Sequence, residues 1–105
     1  MITIIPIIDR DGMDVKTMVL TLDVDEGINI KEAVKSACAE YCKTEEGQKT
    51  YAGNCNNFNW GDFEAYVPNN ICGNHGIRKI DSFMYEDEID FNEQLVDEDD
   101  VMYRS

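Results

Sequence analysis

Val15-Lys16-Thr17-Met18-Val19-Leu20-Thr21-Leu22-Asp23-Val24 decides the fold. Met18, Leu20, Leu22 and Val24 alternate with Thr17, Val19, Thr21 and Asp23. A period of two puts one set on a buried sheet face and the other opposite, so the stretch reads as a strand with one apolar side. Just upstream, Asp9-Arg10-Asp11-Gly12 is a turn signal, with Asp-Gly its strongest part. Before the turn, Met1 to Ile8 is rich in β-branched residues. Ile2, Ile4 and Ile8 share one parity and Ile5 and Ile7 the other, which predicts a strand with little exposure on either face. Pro6 has no N–H to give a ladder and points to an edge position or a bulge. Met1 to Val24 therefore predicts a β-hairpin.

Asp25-Glu26-Gly27 breaks the alternation. Asn29 has the chemistry of an N-cap, with Glu32 three residues on as its capping-box partner. Ile30, Val34, Ala37, Cys38, Tyr41 and Cys42 then recur at helical spacing. The spacing predicts one long helix, Ile30 to Glu46, ended by Gly47. Residues 49–57 read as a loop. Phe58 to Val67 is aromatic and β-prone, but neither register is amphipathic, and Asn59-Trp60-Gly61-Asp62-Phe63 reads equally as the start of a short helix that Pro68 ends. Asn69 to Gly76 is a loop or a further helical turn. Ile77 to Tyr85 predicts a strand, and a short element is expected around Asn92 to Val96. The fold class is α+β: the hairpin packs on one long helix and further antiparallel strands complete a single small domain, with helices on one face of the sheet.

At 105 residues the chain is near the commonest single-domain size. Hydrophobic residues make up 43%, which supplies a core and sets the chain apart from disordered acidic segments. Charge is the outlying quantity: 22 Asp and Glu stand against 9 Lys and Arg, for a net −13. Residues 81–105 carry −9 of this and residues 1–80 only −4. Such a balance repels a phosphate backbone and attracts a basic protein surface, so direct nucleic-acid binding is not expected. The start lacks the basic flank and length of a secretory signal, and no stretch reaches the length of a membrane span. A cytoplasmic protein with reduced cysteines is the expectation.

Several residue sets have side chains capable of chemistry. Cys38 and Cys42 lie one helical turn apart, and Cys55 with Cys72 and His75 could complete a tetrahedral zinc site. The spacing is loose, and two small core residues on an apolar helix face explain Cys38 and Cys42 as well. Cys72 and His75 could pair as nucleophile and base, but no oxyanion-hole motif accompanies them. Asp9-x-Asp11-Gly12 and Asp23-x-Asp25-Glu26-Gly27 lack the twelve-residue calcium-loop pattern, and turn chemistry accounts for them. No pair of carboxylates sits in an apolar setting that would split its pKa values. No enzyme, metal or cofactor is assigned.

The acidic stretch is different in kind. Glu86, Asp87, Glu88, Asp90, Glu93, Asp97, Glu98 and Asp99 are interleaved with Ile89, Phe91, Leu95 and Val96, and are preceded by Phe83, Met84 and Tyr85. A pure solubility tail has no need of such anchors; carboxylates that steer and hydrophobes that hold describe a docking face, while an ordinary solvated face with a frayed end accounts for the charge equally. Phe58-Asn59-Trp60-Gly61-Asp62-Phe63, Val67-Pro68-Asn69 and His75-Gly76-Ile77 resemble segments of small acidic proteins of Gram-positive mobile elements. The resemblance covers about a third of the chain. Some such proteins are anti-CRISPR inhibitors, which occupy the basic nucleic-acid groove of an effector and sometimes imitate DNA. It implies an inhibitor whose partner is a basic, nucleic-acid-binding host protein, with the eight acidic residues as contacts. The alternative expectation is a small zinc-stabilised interaction domain using the Cys and His ligands.

Overall fold

The alternating stretch forms the middle of the sheet. In the computed structural model, which describes residues 1–11, 14–50, 59–85 and 96–97 (of 9–11, 14, 15, 50, 96 and 97 the backbone alone), β1 (Ile2–Asp11) pairs antiparallel with β2 (Asp14–Val24). Ile2 stands opposite Asp23 and Asp11 opposite Asp14. The hairpin outruns its turn signal: Asp9, Arg10 and Asp11 belong to β1, and only Gly12 and Met13, outside the described residues, separate the paired ends. β3 (Ile77–Tyr85) pairs antiparallel with the other side of β2, and β4 (Val96–Asp97) lies parallel to β1 at Ile7 and Ile8. The strand order is β3-β2-β1-β4. Pro6 stands opposite Val19 of β2, and among the described residues the β4 pairing on the other side of β1 begins only at Ile7, so the expected edge position holds at Pro6 although β1 is not an edge along its whole length. Of the element expected around Asn92 to Val96, only Val96 lies within the described residues.

Two helices stand where a single long one, Ile30 to Glu46, is expected. α1 (Ile30–Cys42) starts as the sequence predicts, with Asn29 Oδ1 accepting from the N–H of Glu32 at 3.1 Å. It stops four residues early, before α2 (Glu45–Thr50). Thr44 is the cause. Its hydroxyl donates to the carbonyl of Tyr41 at 2.6 Å and accepts from the N–H of Gly47 at 3.0 Å. A threonine that offers the backbone these bonds ends one helix and caps the next. Gly47 is thus inside α2 rather than beyond a helix end, and it is buried there. A Cβ at this position would lie 2.8 Å from the carbonyl carbon of Tyr41 and 2.9 Å from Cys42 Cα. Only glycine lets α2 turn back so tightly on α1.

Within the segment that reads equally as strand or helix, α3 spans Trp60–Tyr66. Asn59 Oδ1 accepts from the N–H of Asp62 at 2.8 Å, and Asp62 Oδ2 accepts from the N–H of Asn59 at 3.1 Å. This reciprocal box overrides the β-propensity of the aromatic residues. α4 (Asn69–Cys72) and a 3-10 turn (Gly73–His75) follow, and Gly76 at φ 79° swings the chain into β3.

The buried residues of α1, α3 and α4 meet one side of the sheet. Met18, Leu20, Leu22 and Val24 are 5, 0, 0 and 2% exposed, as the alternation predicts. With Ile5, Ile7 and Ile77 they pack against Val34, Ala37, Cys38 and Tyr41 of α1, Trp60 and Phe63 of α3, and Ile71 and Cys72 of α4. Trp60 meets Phe63 edge to face, with ring centroids 6.4 Å apart. Burying a side chain like Phe63 completely contributes about 3 kcal/mol.

Candidate interaction surface

The side of the sheet turned away from the helices has its own composition. The register places four rows across it: Ile2, Asp23 and Arg78; Ile4, Thr21 and Asp81; Pro6, Val19 and Phe83; Ile8, Thr17 and Tyr85. One corner is closed, with Pro6, Ile8 and Thr17 buried. The rest is open. Ile2 and Ile4 are each 59% exposed, Phe83 60% and Tyr85 43%. The expectation of little exposure for β1 thus fails at Ile2 and Ile4, which face away from the described helices, and holds at Ile8 of the same parity. Phe83 and Tyr85, two residues apart and so on one face, stack with ring centroids 6.2 Å apart and planes 29° from parallel.

Charges on this face are sorted by pairing. Arg78 Nη2 donates to Asp23 Oδ2 at 2.7 Å, and the Met1 ammonium donates to Asp23 Oδ1 at 3.1 Å. The ammonium first, and then the guanidinium, hold the Asp23 carboxyl below its ordinary value. Asp81, in contrast, is exposed, and its Oδ1 accepts from the N–H of Ser82 at 2.9 Å.

Among the described residues no strand pairs with the outer side of β3. Part of that edge is nevertheless satisfied internally. The Asn69 amide donates to the carbonyl of Lys79 at 2.9 Å and accepts from its N–H at 2.8 Å, standing in for a neighbouring strand. A register shift follows between Thr21 and Leu22, where Ile80 is passed over, and Asp81 then caps Ser82. Side-chain caps and a bulge are how edges are blunted against strand addition.

Of the sequence-predicted contacts, Asp97 has its backbone in β4 opposite Ile8. Glu86, Asp87, Glu88, Asp90, Glu93, Glu98 and Asp99 lie outside the described residues.

Among the described residues the cysteines do not converge on an ion. Cys42 is disulfide-bonded, which corrects the expectation of reduced cysteines throughout and removes one thiolate from the alternative zinc set. Cys38 and Cys72 are free and buried, and Cys55 lies outside the described residues. Among the described residues no group of three or more His, Cys, Asp and Glu could hold a metal ion. Burial, reinforced by Cys72 and Asp62, pushes the Cys38 thiol far up, and burial raises Cys72 as well. Thiols held protonated in a core are poor nucleophiles. His75 is otherwise engaged: its Nε2 lies 3.0 Å from Glu40 Oε1, while Asn74 donates to Glu40 Oε2 at 2.9 Å. The acidic turn after β2 is likewise a junction, with the N–H of Asp25 donating to the carbonyl of Gly76 at 2.9 Å.

Lys79 carries no motif in the sequence. Its ammonium reaches under α3, donating to the carbonyls of Phe63 at 3.1 Å and Glu64 at 2.9 Å, 5.4 Å from the Phe63 ring centroid. Burial lowers its pKa. It holds a helix end with a positive charge, as the helix dipole favours. No described helix is long and apolar enough to cross a membrane. No protein-family model matches the chain, and no curated protein and no solved structure matches it significantly.

Proposed function

We propose that this chain is an acidic, non-catalytic inhibitor that occupies a basic protein surface, the nucleic-acid channel of a CRISPR effector or of another host defence nuclease. The observation that carries the reading is the charge: −9 of the net −13 lies in residues 81–105. Glu86, Asp87, Glu88, Asp90, Glu93, Asp97, Glu98 and Asp99 stand in for phosphates, and the bulk of the domain blocks the channel. Long-range attraction accelerates the encounter, and salt screens it. A cytoplasmic site of action goes with this reading, and the redox state of Cys42 in cells is a direct check on it.

The test is a competition for DNA on a purified, guide-loaded effector, at two salt concentrations. The native chain displaces DNA, and displacement weakens steeply with salt. Charge reversal at Glu86, Asp87, Glu88 and Asp90 abolishes displacement. If the reversed variant competes as well as the native chain, with the same salt dependence, the carboxylates are not phosphate substitutes and the reading fails.

A further inference from the structure

We draw no further inference here: the strongest candidate, the open apolar face of the sheet at Ile2, Ile4, Phe83 and Tyr85, carries nothing, because the charges described on it, the Met1 ammonium and Arg78 against Asp23 and Asp81, balance and nothing in the structure shows what covers it.

Discussion

Replacing Gly47 by alanine should destabilise the fold, although the same change in most helix interiors does the opposite. In an ordinary helix, Gly→Ala stabilises by about 1 kcal/mol, because alanine loses less backbone entropy. At position 47 the new methyl would sit 2.8 Å from the Tyr41 carbonyl carbon, 2.9 Å from Cys42 Cα, and closer still to the Tyr41 carbonyl oxygen. All three atoms are main chain and cannot rotate away. Relief requires sliding α2 off the end of α1. That movement strains the bond from the Gly47 N–H to Thr44 Oγ1 at 3.0 Å and the bond from Gln48 Nε2 to the Cys42 carbonyl at 2.8 Å. Overpacking costs about 1–3 kcal/mol and each weakened hydrogen bond about 1 kcal/mol. Set against the propensity gain, the net loss is about 2 kcal/mol, a fall in Tm of roughly 10 °C for a domain this size. Urea unfolding followed by Trp60 fluorescence measures it. Gly73→Ala is the control: nothing lies within 4 Å of its added Cβ and its φ is −60°, so its midpoint should move little. If Gly47→Ala matches or exceeds the native stability, the two helices do not meet backbone to backbone and the account of the α1–α2 break is wrong.

Asn59→Ala should cost about 1 kcal/mol in the same assay, because the N–H of Asp62 loses its acceptor, and Asn59→Asp should recover most of it. Stability should also fall in alkali. Buried Cys38 and Cys72 keep protons in the fold that the unfolded chain releases above about pH 9. Their contribution is complete below that pH and declines as pH rises, by at most about 1.4 kcal/mol per unit per thiol. Lys79, with its pKa lowered by burial, opposes this trend as pH approaches 10.5, but it is one group against two. Cys38→Ala should therefore flatten the decline of the urea midpoint above about pH 9, and an unchanged slope would show that the thiol ionises freely. Finally, alkylation in denaturant without reductant should label Cys38 and Cys72 and spare Cys42; a labelled Cys42 would contradict its disulfide.

The parts of the fold legible in the sequence are those fixed by local pattern. The period of two in β2 needs nothing beyond neighbouring residues, and neither does the Asn29 cap. The same local logic was available at Asn59 and Asp62, three residues apart like Asn29 and Glu32, but the aromatic residues between and around them carry a competing strand preference. At Thr44 the hydrophobic periodicity runs on across the break, and the hydroxyl that ends α1 is visible only as a competitor for backbone bonds. Lys79 had no signature at all, because its partners are carbonyls 15 and 16 residues away that exist only once α3 has formed. The candidate surface divides in the same way. Net charge is a sum over the sequence, so the acidic stretch can be read directly. The apolar half cannot, since an isoleucine in a strand looks the same whether a helix covers it or not. Ile2 and Ile4 became surface residues only because α1, α3 and α4 all meet the opposite side of the sheet, through Val34, Phe63 and Cys72. One-sided layering is therefore what turns an apparent core strand into part of an exposed apolar face, and it lies in the connections between elements rather than in any one of them.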